Sequence, residues 1–285
     1  MNSTEKILLT GVTGHVGPQV VSQLAGGRLS LRALVRHPEK AASLRQAGVE
    51  VVIGDLADLD TVKKALAGVS RLLVMSTAAP ELAELQSHLA GAAADCGVQY
   101  IVKVSAVGAD PQSNINTARW HGQAEEAILG TGIRHCFLRS SGYMQNLLGM
   151  SRVSKTGGTF PTHRTNAREA MVDNRDVAAC IVEVLTRDDP SNTTYELTGP
   201  ENFTIAEVAR AISEVAENAV TPNVISEDEY RAMMLGYGMP EWITNDMIAW
   251  GYMTQEPTQD VAALTGRPAT SLHQFLQDHA DVFRR

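Results

Sequence analysis

Gly11, Gly14 and Gly17 recur at three-residue intervals in Ile7-Leu8-Leu9-Thr10-Gly11-Val12-Thr13-Gly14-His15-Val16-Gly17, a spacing that serves phosphate chemistry. An apolar run precedes them, and Val20, Val21 and Leu24 follow at helical spacing, which predicts a strand, a tight turn and a helix. In such a unit the first glycine allows the turn and the second admits phosphate against the backbone. The third lets helix pack closely on strand. The helix N-terminus then offers unpaired N–H groups and partial positive charge to a pyrophosphate. Thr13, His15 and Val16 complete the predicted dinucleotide turn.

The residue ending the second strand of a nucleotide-binding sheet meets the adenosine ribose. An acid there binds the 2′-hydroxyl, whereas an arginine accepts a 2′-phosphate. Leu31-Arg32-Ala33-Leu34-Val35 runs into Arg36-His37-Pro38-Glu39-Lys40 with no acid at the strand end, so Arg36 favours NADP(H) over NAD. Lys40, one helical turn later, reads as solvated charge. Gly54-Asp55-Leu56 follows the third strand. Asp55 there either accepts from the adenine amino group, with Leu56 on the ring, or is a turn aspartate capping the helix around Asp58. Ser76 and Thr77 close the fourth strand and would line the central ribose and phosphates.

The elements that must position these groups alternate regularly. Strands are predicted at Ile7–Thr10, Leu31–Val35, Val49–Ile53, Arg71–Met75, Ile101–Val104 and His135–Leu138. Helices are predicted from near Gly17, Pro38, Asp58, Glu81 and Ala118. Apolar strands alternating with helices predict an α/β fold, a doubly wound parallel sheet (Rossmann fold) with ligands at the carboxyl ends of the strands. Residues 1–145 are expected to form this domain, and 146–285 a smaller C-terminal α/β substrate lobe with some segments returning to the main sheet. In that second part Lys155-Thr156-Gly157-Gly158 and Asn192-Thr193-Thr194 read as turns, and Thr204 with Glu207 as a capping box. Met233, Met234, Tyr237, Met239, Trp242, Met247, Trp250, Tyr252 and Met253 crowd one segment. They read either as the core of a small helical domain or as an adaptable cover over an apolar substrate.

At 285 residues, 44% hydrophobic and 20% charged, the chain has the composition of a globular protein with room for one large domain and an appendage. A formal charge of −8 without Lys/Arg runs argues against a nucleic-acid partner. No stretch approaches the roughly 20 apolar residues of a membrane span. The polar Met1 to Lys6 predicts no signal peptide, and Cys96, Cys136 and Cys180 read as buried reduced thiols of a cytoplasmic protein.

Together these residues resemble the short-chain dehydrogenase/reductase superfamily, and within it the atypical NmrA-like branch. The resemblance rests on Gly11, Gly14 and Gly17, on Val35-Arg36-His37-Pro38, and on Gly54-Asp55-Leu56. It continues through Leu138-Arg139-Ser140-Ser141-Gly142-Tyr143-Met144-Gln145-Asn146, Met171-Val172-Asp173-Asn174-Arg175-Asp176-Val177-Ala178, the helix at Thr204–Glu217 and a tail at Thr265-Gly266-Arg267-Pro268 with Phe275-Leu276. Relatives in this branch include quinone, azo-dye and triphenylmethane-dye reductases as well as non-enzymatic redox sensors.

Most members of the superfamily catalyse with a serine and a Tyr-x-x-x-Lys pair. The tyrosine moves a proton, and the lysine holds the nicotinamide ribose and lowers the tyrosine pKa. Ser105 stands where the resemblance places the serine. Glu125 sets the register of Thr117-Ala118-Arg119-Trp120-His121-Gly122-Gln123-Ala124-Glu125, which puts Thr117 at the tyrosine position and His121 at the lysine position. Tyr100 and Lys103 have the wrong spacing and flank a buried strand, so they are not expected to replace the pair. Threonine is no proton donor near neutral pH. Histidine can hydrogen-bond ribose hydroxyls or carry a proton itself. Tyr143, with Asn146, would face the nicotinamide end as a second group able to polarise or protonate substrate, or as an aromatic wall.

Hydride transfer to a conjugated or cationic acceptor needs little enzyme acid, because charge spreads over the acceptor. The expectation is an NADPH-dependent oxidoreductase acting on a small apolar conjugated acceptor of the quinone, azo, dye or iminium type. Catalysis would come largely from positioning. The alternative from another class is a non-catalytic NADP-binding redox sensor. An isomerase or dehydratase that borrows hydride fits the absent tyrosine less well. The expected partners are a small-molecule substrate and, as one option, a second copy in a homodimer.

Overall fold

Ile7, Leu8 and Leu9 are completely buried in β1 (Lys6–Leu9), as a parallel strand covered by helices on both faces requires. The computed structural model describes residues 5–284. The chain divides into two compact units, Met1–Ser140 with Val177–Glu196, and Ser141–Asp176 with Leu197–Arg285.

In the first unit β1 leads to α1 (Gly17–Leu24), β2 (Ser30–Val35), α2 (Ala41–Gln46), β3 (Glu50–Ile53), α3 (Leu59–Leu66) and β4 (Arg71–Val74). Then follow α4 (Leu82–Asp95), β5 (Tyr100–Ala106), α5 (Asn116–Gly130) and β6 (Arg134–Ser140). The sheet order is β3-β2-β1-β4-β5-β6, extended beyond β6 by β9 (Thr193–Leu197). Every pairing from β3 to β6 is parallel. The order reverses between β2-β1 and β1-β4, so a crevice opens there at the carboxyl ends of the strands. Leu34, Val62, Leu66, Leu72, Leu89, Ile101, Ile128 and Phe137 form the core between sheet and helices. α3 begins at a genuine cap, with Asp58 accepting from the backbone N–H groups of Asp60 and Thr61.

The second unit contains α6 (Ser151–Thr156), β7 (Gly158–Thr162), β8 (Arg168–Glu169) and the start of α7 (Asn174–Thr186). Later come β10 (Phe203–Thr204), α8 (Ile205–Ala216), β11 (Val220–Val224), α9 (Glu227–Gly236) and α10 (Glu241–Trp250), then short helices at Asp260–Thr265, Leu272–Asp278 and Ala280–Phe283. Met144, Val208, Ile212, Val215, Phe275, Leu276 and Phe283 make its core. Thr204 and Glu207 form the expected reciprocal capping box. No helix among the described residues is long and apolar enough to cross a membrane.

Three sequence expectations change. Thr193 and Thr194 do not form a turn but open β9, whose polar outer positions hide it from an apolar-run criterion. Cys96 is half-buried at the end of α4, unlike Cys136 and Cys180, which are buried. The Met- and aromatic-rich segment is not a core: Tyr237 is 76% and Tyr252 61% exposed, and Met247 and Met253 are exposed as well. Tyr230 and Ile248 are the buried hydrophobic residues of α9 and α10.

Candidate active site

The glycine turn is built for close approach. Gly11 has φ +66°, and a Cβ there would lie 2.6 Å from the Met75 carbonyl oxygen, so the turn and β4 admit only glycine. A Cβ on Gly17 would come within 2.3 Å of Val12 backbone atoms, which sets how tightly α1 meets the turn. Gly14 differs. A Cβ there would touch only the Gly11 carbonyl oxygen, at 3.3 Å, and the residue is exposed. A side chain there would project into open space above the turn instead of into the chain. α1 carries no acid in its first turn and no side-chain cap on its N-terminal N–H groups, with Pro18 in its first turn. Thr13 and His15 are exposed beside Gly14, while Val16 is buried. This cradle fits a pyrophosphate.

Around it, Thr10 ties the turn to β4 through hydrogen bonds from its buried hydroxyl to the carbonyls of Leu73 and Met75. The fully buried Gln86 donates to Ser76 Oγ at 2.9 Å and so orients that hydroxyl at the end of β4; Thr77 beside it is exposed. Arg36 follows β2 with its side chain 67% exposed and only a 3.9 Å ion pair to Asp55. Such a loosely held guanidinium can turn to a bidentate phosphate partner. Asp55 itself accepts from the Ala57 N–H, a turn contact, while the helix cap falls to Asp58. Its other carboxylate oxygen faces Arg36, with Leu56 beside it and half-buried.

The second cluster lies on β5, α5 and β6 of the same unit. Glu125, which set the register in the sequence, is almost fully buried. It accepts from Ser105 Oγ at 2.6 Å, from Arg139 Nε at 3.1 Å and from Arg139 Nη2 at 2.6 Å. That glutamate is thus a positioning anchor: charge-assisted bonds lock β5, α5 and β6 together near the carboxyl ends of the two strands. The Ser105 proton is committed to Glu125, leaving its oxygen lone pairs as the available function. Thr117 and His121, four residues apart, share one face of α5, and both are half-buried.

Lys103 does not restore the Tyr-x-x-x-Lys pair, but the structure brings it to His121, a contact that its sequence position does not reveal. The Lys103 side chain is completely buried, yet Nζ lies 2.8 Å from His121 Nδ1 and 3.4 Å from the Val104 carbonyl oxygen. Burial pushes the Lys103 ammonium down to about 7, with Glu125 opposing and Arg139 adding to the drop. Burial and then the Lys103 charge hold the His121 imidazole well below its ordinary range. The ring is therefore neutral at pH 7, which removes an imidazolium acid from the mechanism.

In the second unit, Tyr143 pairs with Val172 in an isolated parallel bridge, the Met144 N–H donates to Val172 O at 2.9 Å, and Gln145 Nε2 donates to Asp173 at 2.9 Å. The segment after β6 and the 171–176 block, separate in sequence, are thus stitched into one wall. Tyr143 is half-buried there, and Asn146 is exposed. No group of three or more His, Cys, Asp or Glu able to hold a metal occurs among the described residues.

Comparison with known proteins shows the family and the fold. The chain is 32% identical over 283 residues to an NAD(P)H azoreductase of Xenophilus azovorans, covering 97% of this chain and 99% of that one. It superposes on the Citrobacter sp. triphenylmethane reductase complexed with NADP(H) with TM-score 0.85 at 29% identity, covering 95% of this chain and 99% of the other. An Escherichia coli NADPH-dependent quinone oxidoreductase complexed with NADPH gives TM-score 0.86 at 26% identity over 96% of this chain and 99% of that one. The NmrA-like family matches residues 3–276, and the chain belongs to that family.

Proposed function

We propose that the chain is an NADPH-dependent oxidoreductase that reduces a small, apolar, conjugated acceptor of the quinone, azo, dye or iminium class. The carrying observation is the pairing of a phosphate cradle with an α5 that bears Thr117 and a neutral His121 where an acid pair would stand. NADPH supplies the hydride. Gly11, Thr13, Gly14, His15, Val16 and Gly17 hold its pyrophosphate, Arg36 its 2′-phosphate, Asp55 and Leu56 its adenine, and Ser76 and Thr77 its central ribose and phosphates. Ser105 and His121 bind the nicotinamide end through hydrogen bonds.

The chain's contribution is positioning and a fixed set of hydrogen bonds, with the balancing proton taken from solvent after charge has spread over the acceptor. The homologous azo, quinone and dye reductases support this acceptor class. Free thiols at Cys96, Cys136 and Cys180 support a reducing, cytoplasmic setting.

The test is loss of nicotinamide absorbance when the protein is mixed with NADPH and, in turn, a quinone, an azo dye and a triphenylmethane dye. Consumption with one of them is expected. Tight NADPH binding without consumption would instead support a redox sensor. The exposed apolar Leu235, Tyr237, Met247, Tyr252 and Met253, available to a protein partner, favour that second reading.

Replacing Arg36 with Ala should weaken NADPH by about 10-fold or more while leaving NADH binding nearly unchanged, because a phosphate-to-guanidinium contact is worth upwards of about 1.4 kcal/mol. Calorimetric titration of both cofactors checks this, and equal losses would refute the 2′-phosphate role.

A further inference from the structure

We infer that Lys103 is a positioning residue: it donates to His121 Nδ1 and fixes the imidazole as the neutral tautomer with hydrogen on Nε2, so that His121 serves the site as a hydrogen-bond donor. The inference rests on the proposed cofactor site only for its catalytic consequence. Its chemistry stands on β5 and α5 alone.

Lys103 reaches across from a buried strand position, and Nζ has His121 Nδ1 at 2.8 Å as its nearest polar partner, with the Val104 carbonyl more distant at 3.4 Å. A charged lysine has donors only, so the Nδ1 it meets must be the unprotonated nitrogen and the proton of the neutral ring must sit on Nε2. The charged groups that act on this pair are Glu125 from α5 and Arg139 from β6. Asp110 and Glu196 act in turn on Arg139. Glu125 favours a cationic Lys103, but its hydrogen bonds go to Ser105 and Arg139, leaving His121 as the lysine's hydrogen-bonding side-chain partner. A His121 forced to present Nε2–H supplies one donor without supplying a formal charge, as a cofactor ribose hydroxyl or a developing oxyanion would need.

The lock has a built-in pH limit. Once Lys103 loses its proton, its amine can accept as well as donate, and the Nδ1–H tautomer becomes accessible. The donor at Nε2 then fades as pH rises through the Lys103 titration near 7.

The test is two-bond proton–nitrogen NMR of the histidine rings in the full-length, cofactor-free protein from pH 6 to 9, with His121 assigned by its disappearance in His121→Gln. At pH 6 His121 should show unprotonated Nδ1 and protonated Nε2, and the Nδ1–H form should grow in above neutrality. In Lys103→Met the two forms should mix already at pH 6. In turnover with NADPH and a quinone, Lys103→Met should lower kcat about 10-fold, less than the roughly 100-fold of a group that itself transfers a proton because Lys103 acts only through the orientation of His121, with quinone KM little changed and the alkaline decline of the wild type lost. An Nδ1–H or doubly protonated ring at pH 6, or a tautomer indifferent to Lys103→Met, overturns the inference whatever the activity. A correct tautomer in a protein that consumes no acceptor leaves the pairing standing and removes the reductase reading.

Discussion

Gly14→Leu should abolish useful NADPH binding, lowering affinity by on the order of 100-fold, while the melting temperature moves by only about 3 °C or less. The asymmetry follows from what each glycine faces. At Gly14 a side chain meets one carbonyl oxygen at 3.3 Å and otherwise open space, so the fold tolerates it. The same side chain occupies the volume a pyrophosphate needs, and the loss of two charge-assisted backbone hydrogen bonds accounts for the 100-fold. Gly17→Ala should behave oppositely. Its Cβ would come 2.3 Å from the Val12 backbone, and neither element can retreat without opening the core, at a cost of about 1–3 kcal/mol or more. Calorimetric titration beside thermal melts separates the two effects. Undiminished NADPH affinity in Gly14→Leu would remove the glycine turn from the site.

Lys103→Met should stabilise the protein, most strongly in acid. The folded state holds the lysine at about 7 against an ordinary 10.5, so between those values the unfolded chain binds the proton that the folded chain has lost. Burying the ammonium is therefore a penalty fully present below pH 7 and relieved as pH rises from about 7 towards 10.5. The drop corresponds to about 5 kcal/mol at roughly 1.4 kcal/mol for each tenfold change, an upper bound because surrounding groups relax. An apolar side chain of similar length escapes the penalty, and Glu125 keeps Arg139 and Ser105 as partners. We expect a gain of about 2–4 kcal/mol near pH 6 that shrinks towards zero by pH 10. Denaturant midpoints across that pH range check it. A variant less stable than wild type at pH 6 would show that Lys103 holds the fold together. A stable one with impaired turnover shows that the lysine is retained for function at the expense of stability.

The parts of the site legible in the sequence are those encoded locally. The glycine spacing, the arginine after β2 and the Thr204–Glu207 box each depend on a few neighbouring residues, and each fixes its own backbone geometry. Glu125 was legible as a register mark, but its bonds to Ser105 and Arg139 were not, since those partners lie on β5 and β6. Lys103 escaped for a related reason. Strand periodicity says that its position is buried, but nothing local tells where four methylenes carry the amine, and its partner lies 18 residues on. β9 escaped because Thr-Thr-Tyr-Glu at the margin of a sheet lacks an apolar run. The Met- and aromatic-rich helices show the limit of composition: residue type alone does not say which face is wet, and Tyr237 and Tyr252 turn out exposed.

Thr117 and a neutral His121 give α5 no group that can complete a proton transfer to the acceptor, so reduction depends on an acceptor that disperses charge. The most direct measurement compares kcat/KM at saturating NADPH for a quinone and for a simple unconjugated ketone of similar size. The account predicts ready reduction of the quinone and turnover of the ketone lower by on the order of 1000-fold or more, the contribution of a missing general acid. Comparable rates on the two acceptors would contradict it, because they would require a proton donor that Thr117 and a neutral His121 do not provide.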